Sequence, residues 1–240
     1  MLSTYTYPKF EYVCPPEVAE QRSGHYPVVI VGAGPVGLSM AIDLAAQGQQ
    51  VLLLDNDDTV SIGSRGVCYA KRTLEVLDRL NCGAPAVEKG VSWNVGRTFF
   101  GDGEVFNFNL CPQEGHRRPG MVNLQQYYLE DYLVARARQL PNLEMRFKNN
   151  VISVEQDDAQ ATVRVETPDG AYTLTTDWLV AADGARSPIR TMLGLDIEGK
   201  IFMDRFLIAD VVMKADYPAE RWFWFDPPFH RNQSVLLHKQ

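Results

Sequence analysis

Little in this chain suits a metal centre, a nucleic-acid binder or a membrane segment. Its four cysteines, Cys14, Cys68, Cys82 and Cys111, show neither a CxxC pair nor any paired ligand spacing. That speaks against a cysteine-held metal and against a disulfide framework. No signal-peptide pattern precedes them, so free thiols and a cytoplasmic location are expected. Basic residues are outnumbered, 23 Lys and Arg against 30 Asp and Glu, and the net charge of −7 argues against nucleic acid as a partner. No apolar run approaches the roughly 20 residues of a membrane span. Internal repeats and low-complexity tracts are lacking too, which excludes solenoid and fibrous architectures.

What is present is a chain built to fold. At 240 residues, 45% hydrophobic and 22% charged, it can bury a large core in one or two domains. Val28 to Val31 reads as a buried strand that runs into Gly32, Gly34 and Gly37, then into an apolar helix from about Pro35 to Gln47. In such a turn Gly32 gives the tight bend, Gly34 lets backbone approach a pyrophosphate, and Gly37 lets helix and strand pack closely. A phosphate would sit on the free N–H groups at the helix N-terminus, with Pro35 and Val36 beside the cofactor, where the helix dipole favours negative charge. The second strand, Val51 to Leu54, delivers Asp55, with Asn56 beside it, 23 residues after Gly32. That spacing suits a carboxylate on ribose hydroxyls. The pattern predicts dinucleotide binding, and the same turn serves NAD and FAD.

A second signature separates the two. Trp178 to Ala182 reads as another buried strand, leading through Asp183-Gly184 to a helix over about Ser187 to Leu193 that Gly194 stops. With Arg186, Ser187 and Arg190, this stretch resembles the Asp-Gly motif of the flavin-dependent aromatic hydroxylases, the FAD monooxygenases of the para-hydroxybenzoate hydroxylase fold that include phenol and 3-hydroxyphenylpropionate hydroxylases. Two further segments resemble the same family in order. Ser64-Arg65-Gly66 precedes a helix with Ala70, Leu74, Leu77 and Leu80 on one face, ended by Gly83; the resemblance puts Arg65 near the flavin. Gln126 leads a helix striped by Leu129, Leu133, Ala137 and Leu140 and stopped by Pro141, and the resemblance brings it to the cofactor, with Gln125 as the competitor in register.

The resemblance implies an α/β fold: a Rossmann-like FAD-binding domain of the glutathione-reductase-like type with a β-meander crossover, plus the start of a mixed-sheet substrate domain. It implies bound FAD, NADH or NADPH as a transient co-substrate, and hydroxylation of a small phenolic or related aromatic compound by way of a flavin hydroperoxide. No protein nucleophile or metal is called for, so no catalytic residue is named. Flavin halogenases and prenyl reductases share the fold, and a non-catalytic flavin-binding subunit is the alternative from another class. The family's third motif, a later Gly-Asp, is missing; Gly101-Asp102 lies before the second signature. The expectation is therefore an N-terminal part of a longer polypeptide, or a chain completed by another; a homodimer stays open.

Around these motifs, residues 1 to 26 read as an irregular arm whose aromatics pack on something, 27 to 196 as the FAD-binding domain, and 197 to 240 as the beginning of the substrate domain. Val95 to Phe100 and Glu104 to Asn109 read as a hairpin about Gly101-Asp102-Gly103, assigned with 91 to 112 to the substrate domain; Phe106, Phe108 and Leu110 should bury one face. Val151 to Glu155, Thr162 to Glu166 and Tyr172 to Thr175 read as the meander. Phe206 to Met213, Trp222 to Phe225 and Ser234 to His238 read as strands. Trp222, Trp224 and His238 are the candidates for lining a substrate pocket, against core packing as the blander role. The basic loop Gly115 to Gly120 reads as solvated.

Overall fold

The computed structural model describes residues 5–63 and 65–240. A short helix α1 (Pro16–Ala19) leads into β1 (Gly24–Val31), α2 (Pro35–Ala46) and β2 (Val51–Leu54). There follow β3 (Cys68–Ala70), α3 (Lys71–Arg79), α4 (Gly83–Lys89), β4 (Val91–Trp93), β5 (Val95–Phe100), β6 (Gly103–Asn109), β7 (Met121–Asn123) and α5 (Gln126–Ala137). The chain continues through β8 (Leu143–Arg146), β9 (Asn150–Gln156), β10 (Ala161–Thr167), β11 (Gly170–Ala181), α6 (Pro188–Met192), β12 (Arg221–Phe225) and β13 (Ser234–His238).

The principal sheet runs β8-β2-β1-β11-β10-β9, with its first four strands parallel and the meander β9-β10-β11 antiparallel. β2 and the Val28–Val31 part of β1 are buried on both faces, which is why they read as unbroken apolar runs rather than as alternation. Val28, Ile30, Val51 and Leu53 pack with α2 and α5 through Leu38, Ile42, Leu129 and Leu133. Val29, Val31, Leu52 and Leu54 face the other way, onto Val163, Val165, Leu174 and Ile189. A second sheet orders β13-β12-β5-β6, and a third β3-β7-β4. Close packing at the first turn depends on two glycines. Gly32 has φ +107°, and a Cβ there would run into the Ala182 carbonyl; one on Gly37 would run into the Gly32 carbonyl.

Several expectations need correction. The first strand begins at Gly24, not Val28, and the arm before it holds α1. Within the arm Phe10 is buried against Phe147, and the Tyr5 and Tyr7 rings meet Tyr127. The last meander strand and the strand of the second signature are one strand, β11, because Thr176 and Asp177 carry the ladder straight through. Past Thr176, β11 keeps β1 but loses β10, and Trp178 is 72% exposed rather than buried. Helix α3 starts after an exposed Ala70 and stops at Asn81, which takes φ +63°; Gly83 opens α4 instead of closing α3. Pro85 could sit there because first-turn amides need no helical partner.

The hairpin forms, with a register shift between Thr98 and Phe99, yet its apolar face is not buried: β6 is a sheet edge, and Phe106 is 62% exposed. Phe108 alone turns inward, over Gly96, where a Cβ would strike its ring. Phe206 to Met213 forms no strand; among the described residues no strand pairs with it, and its apolar side chains stand exposed. Strand propensity without a partner leaves backbone in water. The basic loop is less solvated than expected at one position, since Arg118 is partly buried against Asp78.

Candidate cofactor-binding site

The carboxyl ends of β1, β2 and β11 converge on a cavity of about 440 Å³, the place where ligands enter open parallel sheets. Gly32, Gly34, Pro35 and Val36 form one wall, Asp55 and Asn56 a second, and Asp183 and Gly184 a third. Arg65 and Gln126 reach the same space from the loop after β2 and from the start of α5, so four stretches distant in sequence meet. A smaller cavity of about 240 Å³ shares Gly34, Asp55, Asn56 and Arg65. Gly37 is not on either wall; it is buried in the helix–strand contact. Ser64 lies outside the described residues, and Gln125 is the residue just before α5 while Gln126 lines the cavity.

The local chemistry is that of an anion cradle. Gly34 is the residue before α2, and a Cβ built on it would meet nothing within 4 Å. The first-turn amides of α2 have no helical carbonyl to bond and carry the positive end of the dipole. Arg65 and Arg186 both line the cavity, and among the described residues neither guanidinium is tied to a carboxylate. A dinucleotide's pyrophosphate fits these donors and the open space above Gly34.

Two carboxylates serve the scaffold as well as the cavity. Asp55 accepts from the Ala33 amide and, at 2.7 Å, from the Asp57 amide, fixing the glycine turn against the end of β2. Burial pushes its carboxyl above the ordinary range, while the two amide bonds pull it down. Asp183 accepts from the Ile189 amide at 3.0 Å, and Ser187 caps α6 through the Arg190 amide at 3.0 Å. Asp55→Asn keeps one acceptor for the turn and removes the charge, so the fold should persist while FAD binds about tenfold or more weakly, the worth of a lost hydrogen bond to a charged group being about 1.5–3 kcal/mol. Fluorescence titration with FAD measures this, and an unchanged dissociation constant would remove Asp55 from the site.

The sequence model of a family described as "FAD binding domain" matches residues 25–235. The chain belongs to that family. It is 33% identical over 187 residues to a para-nitrophenol 4-monooxygenase of Pseudomonas sp. (strain WBC-3), covering 77% of this chain and 46% of that protein. It is 31% identical over 191 residues to a 3-(3-hydroxy-phenyl)propionate/3-hydroxycinnamic acid hydroxylase of Burkholderia vietnamiensis (strain G4), covering 77% and 34%. Among solved structures, p-nitrophenol 4-monooxygenase from Pseudomonas putida DLL-E4 superposes with a TM-score of 0.69 at 31% identity, covering 74% of this chain and 46% of that one. The chain thus spans less than half the length of these relatives.

Against the FAD-binding-domain family the donor set fits its dinucleotide: a bare backbone position, a helix N-terminus, two unpaired arginines and a carboxylate at the end of β2. Trp222, Trp224 and His238 line neither described cavity. They belong to the second sheet, where Trp224 stacks on Phe99 at 5.2 Å and Trp222 donates to Glu220 at 2.7 Å. His238 stands opposite Arg221, and burial together with that guanidinium holds its imidazole below the ordinary pKa. Sequence reading overlooked Glu130, Ser61 and Asn149, all on the cavity wall. Glu130 had one signal: an acid four residues after Gln126, beside Leu129 and Leu133 on the stripe.

Proposed function

We propose that this chain carries the FAD site of an aromatic-ring monooxygenase that uses NADH or NADPH and dioxygen, with a small phenolic compound as substrate. The observation that carries it is the cavity at the ends of β1, β2 and β11, bare at Gly34 and flanked by Arg65 and Arg186, which pair with no carboxylate among the described residues. Similarity to relatives named for p-nitrophenol and hydroxyphenylpropionate supports the substrate class. The α2 N-terminus, Gly34 and Arg186 would hold the pyrophosphate, Asp55 and Asn56 the adenosine ribose, and Arg65, Gln126, Asp183 and Gly184 the flavin side. Bound FAD supplies two-electron transfer from nicotinamide to dioxygen, ending with one oxygen atom on the ring and the other in water. The chain's own part is placement: fixed donors around a buried ligand, with no side chain required as a nucleophile.

In our reading residues 27 to 196 form the cofactor domain, and the β5–β6 hairpin joins 197 to 240 in the substrate domain. The parallel pairing of β12 with β5, Arg221 with Gly96 through Phe225 with Phe100, supports that division. No helix among the described residues is long and apolar enough to cross a membrane. The four free cysteines fit a reducing cytoplasm.

The test is nicotinamide oxidation by the FAD-loaded protein across a panel of phenols under isotopically labelled dioxygen. The right phenol should accelerate oxidation and take up one labelled oxygen atom. A stimulating phenol recovered without label would replace this reading with a reductase.

A further inference from the structure

Glu130 is a carboxylate that neither the anion cradle nor the proposed chemistry uses. It projects from α5 and is only 2% exposed, yet it lines both cavities and forms no ion pair among the described residues. An unpaired buried carboxylate is costly and persists only where donors surround it. Its Oε2 accepts from the Ser61 amide at 2.5 Å, and its Oε1 accepts from the Ser61 hydroxyl at 2.7 Å and from Gln126 Nε2 at 2.7 Å. Gln126 Nε2 also donates to Ser61 Oγ at 3.1 Å, and its Oε1 accepts from the Gly66 amide at 3.1 Å. The bonds thus run from α5 to Ser61 and to Gly66, the two flanks of the loop that carries Arg65.

We propose that Glu130 is a positioning residue for the cofactor, its carboxylate holding Ser61 and Gln126 so that the loop between Ser61 and Gly66 presents Arg65 to the cavity. The donor and acceptor pattern makes the charge specific. Glu130 accepts three times and donates nothing, which orients the Gln126 amide with Nε2 toward Glu130 and Oε1 toward Gly66. A glutamine at 130 would put an NH₂ group against either Gln126 Nε2 or the Ser61 amide. To relieve the first clash Gln126 must turn over, and it then loses Gly66. Size is unchanged, so the substitution removes orientation and leaves packing alone.

This inference rests on FAD occupying the cavity, and the experiment separates the two claims. Wild-type and Glu130→Gln protein are titrated with FAD by flavin fluorescence, the visible spectrum of the bound flavin is recorded, and far-UV circular dichroism checks the fold. Wild type should bind FAD; folded Glu130→Gln should bind at least tenfold more weakly, with an altered long-wavelength flavin band. A folded Glu130→Gln protein with a dissociation constant within twofold of wild type and the same spectrum overturns the proposal. If Glu130→Gln does not fold, Ser61→Ala decides by the same readouts, with wild-type values overturning it. Wild type that binds no FAD overturns the cofactor reading itself, and this inference with it.

Discussion

Gly34→Val is expected to abolish FAD binding while leaving the protein folded. Nothing lies within 4 Å of a Cβ built at this position, and its backbone is not in the left-handed region, so no packing or strain opposes a side chain. The only structural penalty is at the start of α2, where valine is a poorer N-cap than glycine by about 1 kcal/mol. The space the branched side chain would fill is the space in which a pyrophosphate must approach bare backbone. Gly37→Val supplies the contrast, because its Cβ would collide with the Gly32 carbonyl and open the contact between α2 and β1. The two variants should therefore fail differently: Gly34→Val keeps its circular dichroism and melting transition and shows no saturable FAD binding, whereas Gly37→Val loses the melting transition. Tight FAD binding by folded Gly34→Val would put the cofactor elsewhere.

What could be read from the sequence follows from how local each signal is. The turn at Gly32 to Gly37, the strands at Val28 and Val51, the helix led by Gln126 and the short helix after Asp183-Gly184 are set by adjacent residues, and the structure has them. Convergence of Asp55, Arg65, Gln126 and Asp183 came from the resemblance, since no periodicity says that a loop at 65 meets a helix at 126. Partners across long separations were lost to the reading. Phe206 to Met213 has the composition of a strand but no partner strand among the described residues, and Phe106 alternates correctly on an edge that no described strand covers. Glu130 was hidden because a buried acid and a solvated one look alike in sequence; its meaning depends on Ser61, 69 residues away.

The same limit applies to the arm, where the second large effect is expected. Glu17 and Arg146 form an ion pair at 2.9 Å with side chains 0% and 4% exposed. Gly24 makes room for the carboxylate, as a Cβ there would strike it. Tyr26 and Tyr172 complete the cluster, Tyr26 donating to Glu17 at 2.9 Å and Tyr172 donating to Asn149 at 2.8 Å on the cavity wall. Arg146 also meets Glu144 at 2.6 Å, but that carboxylate is half exposed and screened. Glu17→Ala leaves a buried guanidinium short of its dry partner, which costs about 3–5 kcal/mol for a pair broken from one side; the remaining Glu144 contact puts the expectation at the low end, about 3 kcal/mol. For a chain of this size that is a fall of about 6–12 °C in melting temperature. Glu17→Ala with Arg146→Met replaces both charges by apolar groups and should recover part of the loss, since the penalty lies in the orphaned charge more than in the absent bond. A single variant melting within 2 °C of wild type, on the order of 1 kcal/mol or less, would mean that α1 is not held to the sheet through this pair.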